Sequence, residues 1–342
     1  MTLVAPPREP ATELEAATGL EPATEVVATV SSASRSARAS LPVWLRKPPT
    51  RPKNRRPAPT PREIRWWLGV IWLVVSALLL GFVAHVTLVG SLQHSRSQYV
   101  LYQELRSELA LATAPLGQLD VNGVLVPNGT AVGLLEIKSV GINEVFVQGT
   151  LPGDLMEGPG HRRDTVMPGQ QGTSVIMGRQ ATYGGPFSGI AALSIGDRIT
   201  ITTAQGKSQF EVFNIRREGD LLPEPLKSGE GRLELVTADG VPLAPSGTLY
   251  VDAALTSEVK DTPAPVFTEA VLDPAESAMA SDPDGWFAWL FWLQWLVVAA
   301  VAVRWVRGKW GMWQTWVVSV PVLLALGAAT AGAAMSMLPN LL

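Results

Sequence analysis

Apolar residues fall along this chain in three rhythms, and each predicts a different element. The first is unbroken: Trp66 to Gly90, Trp286 to Val303 and Trp316 to Met337 are apolar stretches without a charged residue. Each is near the ~20 residues that a helix needs to cross a bilayer, so they predict three transmembrane helices at 66–90, 286–303 and 316–337. His85 is the one ionisable group inside them, and it is expected near the outer interface. The second rhythm is near-helical. Tyr99, Leu101, Tyr102, Leu105, Leu109 and Leu111 recur among polar residues, which predicts an exposed stalk helix over 91–114 that spaces the next domain from the membrane. The third is alternation in short runs: Leu134 to Ile137, Glu144 to Gln148, Thr173 to Gly178, Arg198 to Thr203, Gln209 to Arg216, Leu233 to Thr237 and Thr248 to Leu255. With turn signals such as Asn122-Gly123 and Asn128-Gly129 before them, these predict a mainly β domain, a closed barrel over 134–255. In its seventh run Leu233, Leu235 and Thr237 share one face, while Glu234, Val236 and Ala238 share the other.

The remaining segments have no hydrophobic period. Residues 1–61 are rich in Ala, Pro, Ser, Glu and Arg and are expected to be a disordered cytoplasmic tail. Residues 256–285, rich in Pro, Ala and acids, read as a linker back to the membrane. Basic residues bias the cytoplasmic side of a span. Eight of them, Arg46, Lys47, Arg51, Lys53, Arg55, Arg56, Arg62 and Arg65, precede the first span, and Arg304, Arg307 and Lys309 lie at the loop 304–315. Both clusters place the N-terminus inside and the barrel outside the cell. The first run is long for a signal peptide and lies deep in the chain, so an uncleaved anchor is favoured over a cleaved leader.

Composition narrows the chemistry. The chain has no cysteine among its 342 residues, which excludes disulfides, thiolate metal sites and a cysteine nucleophile together. A net charge of −3 without a basic stripe argues against nucleic acid. No cofactor and no metal are expected. In the last span Gly327 with Ala331 and Ala328 with Gly332 give a small-xxx-small spacing, so homo- or hetero-association through the helices is an expected partner mode.

The order of several motifs carries a resemblance. LLEIKSVGINEVFVQGT, then GPGHRRDTVMPGQQGTSVIMGRQATYGGPFSGIAALSIGDRITITT, then LELVTADG resemble successive strands and turns of bacterial sortases over 134–255. That family is one of membrane-anchored transpeptidases that cleave a sorting signal such as LPxTG and join the new carboxyl end to an amine. The resemblance implies a cysteine nucleophile, a histidine for proton transfer and an arginine that holds substrate and oxyanion. Carried over position by position, Ala238 stands where the family has its cysteine, Arg179 where it has its histidine and Thr248 where it has its arginine. The sequence between Leu233 and Val259 holds no Lys or Arg, so a shift of register does not restore the last. His161 matches an additional histidine of similar sortases.

No catalytic residue of the family's kind is therefore expected. The groove-binding candidates are Arg179, Asp239, Tyr183 and His161, with Arg179 and Asp239 expected either to pair across the former site or to lie solvated at its rim. The expected function is a non-catalytic module, held in the membrane by three spans, that binds an extracellular peptide or envelope protein. Two alternatives stand beside it: a hydrolase or transpeptidase with an unrecognised nucleophile, for which Thr237 and Ser174 are the nearest hydroxyls, and a purely structural membrane scaffold.

Overall fold

The computed structural model describes residues 64–342. The tail expected at 1–61 lies outside the described residues, as do the basic residues before Arg65. A 48-residue helix begins the described chain: α1 (Ile64–Ala84), a π-helical turn (His85–Val89) and α2 (Gly90–Leu111). A π turn frees a carbonyl from the helical ladder. Here the Val86 carbonyl accepts the Tyr183 N–H at 3.2 Å, which ties the helix to a loop of the barrel.

Eight strands follow: β1 (Ala131–Ile137), β2 (Ile142–Gln148), β3 (Gly160–His161), β4 (Gly172–Met177), β5 (Arg198–Thr203), β6 (Gly206–Arg217), β7 (Gly231–Val241) and β8 (Ala244–Leu255). They close into a barrel in the order β1-β2-β3-β4-β7-β8-β6-β5, with β5 pairing back onto β1. Pairing is antiparallel except for β2–β3 and β4–β7. The mainly β expectation holds, and each of the seven expected runs overlaps a strand. Strand β3 was not anticipated, because two residues are too few to show a period.

The alternation explains the barrel. In β6, Ser208, Phe210 and Val212 are buried between exposed Gln209 and Glu211. Phe146, Leu135, Ile137, Ile176, Leu233, Leu235, Val251 and Phe210 meet in one apolar interior. That interior demands close backbone approach at Gly133, where a Cβ would lie 2.6 Å from the Phe146 ring and 2.7 Å from the Thr202 carbonyl.

Two expectations need correction. The stalk is not an exposed spacer. Leu101 and Leu105 are buried against Ala131, Val145 and Val147, Gln98 exchanges hydrogen bonds with the Val145 backbone, and His94 lies 3.1 Å from Glu144. The helix is amphipathic, and its apolar stripe finds the barrel wall. Nor is 256–285 a free linker. The Gln118 side chain bonds the backbone at Val266 and Phe267, and Arg163 lies over the Phe267 ring and pairs with buried Glu276 at 3.4 Å. Sparse apolar residues in a Pro-rich segment suffice to dock it when polar partners wait on the barrel.

The chain ends in a helical hairpin, α3 (Gly285–Lys309) and α4 (Met312–Ser336). Among the described residues three helices are long and apolar enough to cross a membrane: the 48-residue helix, α3 and α4. The Asp282 N–H donates to the Ser336 carbonyl at 3.0 Å, so the start of α3 adjoins the end of α4. The basic turn at Arg304 to Lys309 therefore sits at the other end of the hairpin.

Candidate functional site

Three adjacent strands, β4, β7 and β8, bring Arg179, Ala238 and Thr248, the positions that the sequence resemblance singles out, to one level. Met177 at the end of β4 is in register with Val236, which sets residue 179 beside residue 238. Across the antiparallel pair, Ala238 lies directly opposite Thr248, a placement that holds Cβ atoms within ~5.5 Å. Residues 179, 238 and 248 thus converge, as a site assembled from strand ends requires.

The faces of β7 alternate as its sequence predicts. Leu233 and Leu235 point into the barrel interior, while Val236 and Ala238 belong to a second apolar cluster with Leu155, Val175, Met177 and Leu341. Ala238 is buried there. The Thr237 hydroxyl donates to the Gly178 carbonyl at 2.8 Å and is buried too. Ser174 is buried, and its hydroxyl has no hydrogen-bond partner. The one histidine on the barrel, His161, packs elsewhere.

Arg179 is the largest fully buried side chain of the described residues, at 0% exposure. Gly178 before it allows this tight exit from β4, since a Cβ there would meet the Phe187 ring at 2.5 Å. Its Nε donates to the Leu155 carbonyl at 3.1 Å, one terminal nitrogen to the Pro152 carbonyl at 2.8 Å and the other to the Thr182 hydroxyl at 3.2 Å. The guanidinium also stands over the Tyr183 ring at 5.4 Å. Among the described residues no carboxylate pairs with it. Burial lowers its pKa to about 10, which still leaves it protonated at neutral pH. Arg179 therefore staples loop 150–157 to the end of β4.

The expected ion pair between Arg179 and Asp239 is not formed, and neither lies free at a rim. Asp239 sits one residue past the buried part of β7 and pairs instead with Arg217 at 2.9 Å. Strand alternation turns it away from the face that Ala238 occupies. His161 also leaves the groove. It is in register with Ile176, near the ring of Phe146, and its ring nitrogens lie 3.0 Å from Gln148 Oε1 and 2.9 Å from the Val166 carbonyl. Burial lowers its pKa to about 4, so it is a neutral structural histidine beside the barrel core. Tyr183 does border the site, packed with Val86, Met335 and Leu342 in a positive-φ conformation of 50°.

Sequence reasoning missed the groove's occupant, the segment after α4. Leu341 is fully buried against Ala238 and its neighbours, and the Gln180 N–H donates to the Leu341 carbonyl at 2.9 Å. The Thr182 hydroxyl donates to the Leu342 carbonyl. Asn340 is buried, with its Nδ2 3.1 Å from the Thr150 carbonyl and 2.9 Å from that of Ser277. No local pattern in Leu338-Pro339-Asn340-Leu341-Leu342 signals docking; only the fold supplies the partners.

A closed mixed barrel, carried on apolar helices and with a strand-end site between β4, β7 and β8, defines a class that comparison names. Residues 135–251 match the family model described as the Sortase domain. Sortase D of Bacillus subtilis (strain 168) is 31% identical over 88 residues, which cover 26% of this chain and 43% of that protein, so the match spans under half of that relative's length. Among solved structures, a Clostridium perfringens Sortase D5 transpeptidase is 23% identical, covering 49% of this chain and 100% of its own at a TM-score of 0.38. Sortase E from Streptomyces avermitilis is 27% identical, covering 44% and 100% at a TM-score of 0.33. Over residues 135–251 the chain is thus similar to the sortase family.

Proposed function

We propose that this chain is a non-catalytic member of the sortase family that is held in the membrane by three helices and binds an extracellular peptide or envelope protein. The observation that carries the reading is the convergence of Arg179, Ala238 and Thr248 on one level of the barrel in a chain without cysteine. A methyl group has no lone pair with which to attack a carbonyl. A buried guanidinium that keeps its proton cannot accept one, and loss of one member of a comparable nucleophile–base pair costs on the order of 10⁶ in turnover.

Neither nearby hydroxyl has a base beside it. That of Thr237 is engaged by the Gly178 carbonyl on the opposite face from Ala238. The barrel's histidine is neutral and committed to Gln148 and Val166, which supports the same reading. The two basic clusters, with the second at the end of the hairpin remote from the barrel, support an extracellular barrel and a cytoplasmic N-terminus.

The test is turnover by the full chain in lipid discs, offered a sorting-signal peptide and an amine acceptor. No cleavage above the uncatalysed rate is expected. Cleavage that Thr237→Ala or Ser174→Ala abolishes would sink the reading in favour of a substitute nucleophile.

A further inference from the structure

We infer that the groove over Ala238 is a peptide-binding site whose resident ligand is residues 338–342 of the same chain, and that it selects a turn-forming segment, closed here by the Leu342 N–H on the Pro339 carbonyl at 3.2 Å, with an asparagine followed by an aliphatic residue. This deepens the proposed function by naming the ligand chemistry, and it rests on that reading only in taking the groove as a binding surface.

The segment is held in three ways at once. Its backbone is clamped from both sides: the Gln180 N–H donates to the Leu341 carbonyl at 2.9 Å, and the Asn340 N–H donates to the Ala280 carbonyl at 2.8 Å. The Asn340 carboxamide nitrogen is read by main-chain acceptors, the carbonyls of Thr150 and Ser277 with that of Ala275 at 3.5 Å, while its oxygen is buried without a hydrogen-bond partner. An aspartate in its place would set a carboxylate against those carbonyls. The Leu341 side chain is fully buried in one apolar cluster with Leu155, Val175, Met177, Val236 and Ala238.

The buried arginine belongs to the same device. Arg179 donates to the Thr182 hydroxyl, which uses its own proton on the Leu342 carbonyl. A cation thus fixes the direction of the hydroxyl that grips the ligand backbone. Arg179 is a positioning residue, and its staple to Pro152 and Leu155 also shapes the socket wall.

The chemistry of the segment argues against incidental packing. It follows a helix of bilayer length, and two leucines would be as well solvated by lipid as by protein. What lipid cannot supply is a set of hydrogen-bond partners, since an unpaired polar group is costly in an apolar medium. The groove and the strap beside it provide partners for the Asn340 N–H and carboxamide nitrogen and for the Leu341 carbonyl, and a ligand outside the chain needs the same set. Because the segment is tethered, it acts at an effective concentration on the order of millimolar. An external peptide therefore binds appreciably only when the segment leaves.

The experiment uses the full chain in lipid discs and a fluorescent peptide with the sequence SMLPNLL. In the Asn340→Asp and Leu341→Asp variants, which release the segment, the peptide is expected to bind at least tenfold more tightly than to the unaltered chain. The same peptide with aspartate at its asparagine should bind at least tenfold more weakly. Equal binding to unaltered and released chains, or none to a released chain whose barrel melts normally, overturns the inference.

Should both variants unfold, amide exchange on the unaltered chain decides: slow exchange at Gln180 and Asn340 supports the resident ligand, and solvent-fast exchange overturns it. Turnover of a sorting-signal peptide would sink the non-catalytic reading and leave this binding result standing. Loss of binding without turnover would sink this inference alone.

Discussion

The two faces of strands β4, β7 and β8 are both buried, yet they are buried by different means. Inside the barrel, Ile176, Leu233, Leu235 and Val251 meet side chains from the same domain, on strands that are their hydrogen-bonded neighbours or close to them. Outside, Val175, Met177, Val236 and Ala238 are covered by Leu155 from a loop and by Leu341 from beyond the helical hairpin. Burial of the inner face is thus intrinsic to the domain. Burial of the outer face is expected to be conditional, because part of its cover is a segment from beyond the helical hairpin. The proposed binding role makes use of this difference.

The comparison breaks first at the core. Phe146→Ala should cost about 3–5 kcal/mol of barrel stability, measured by denaturant unfolding in micelles, because no segment can move in to refill the interior. Leu341→Ala should cost about 2 kcal/mol, the low end for a buried leucine, since the exposed socket can rehydrate. Its signature is faster amide exchange at Gln180 with β1 and β2 unchanged. Equal and global effects of the two variants would erase the distinction between intrinsic and conditional burial.

Titration sharpens the comparison, because the two faces respond to pH with opposite sign. Asp154, in the loop that forms the socket wall, has its pKa raised to about 7 by burial, with the charges of Glu276 and Glu157 adding and the Leu151 N–H and Arg163 opposing. A raised carboxyl favours the folded state when protonated. Its contribution is therefore full below the unfolded value near 4 and is lost as pH rises through about 7. His161, beside the inner core, has its pKa lowered to about 4 by burial, so its contribution is present above about 6.5 and is lost as pH falls toward 4. Each group changes stability by at most ~1.4 kcal/mol per pH unit. With the intrinsic pH dependence of exchange divided out, protection of loop 150–157 should fall as pH rises from about 4 to about 7, and protection around β3 should fall as pH drops from about 6.5 to about 4. The same sign at both places would contradict the assignment.

The smallest effect is expected at the rim. Arg217→Ala removes the partner of Asp239, but the arginine is largely exposed, so the change in stability should be within about 1 kcal/mol. A larger loss would restore Asp239 to the groove's working parts.

Most of the barrel was legible in the sequence because alternation at period two is a local signal, and β6 and β7 carry it plainly. The three apolar helices were legible for a similar reason, since length and the lack of charge are also local. Where the sequence misled, the deciding partner was far away in the chain. Residues 256–285 look like a linker until Gln118 and Arg163 reach them, and the stalk looks exposed until Leu101 and Leu105 meet β1 and β2. The candidate site divides the same way. Ala238, Arg179 and Thr248 were readable by position, whereas the company of each was not: Arg179 bonds carbonyls instead of Asp239, and His161 turns to the core side.

By itself the sequence determined what this protein lacks and where its strands and apolar helices run, because composition and local periodicity need no partner to be read. A chain without cysteine has no thiolate in any fold. Only the tertiary structure decided what lies over Ala238. Leu341 lies 103 positions beyond Ala238, and whether two segments so distant meet depends on how a barrel, a docked strap and a helical hairpin close on one another. Such a contact is set by the summed geometry of every element between, which no local pattern encodes.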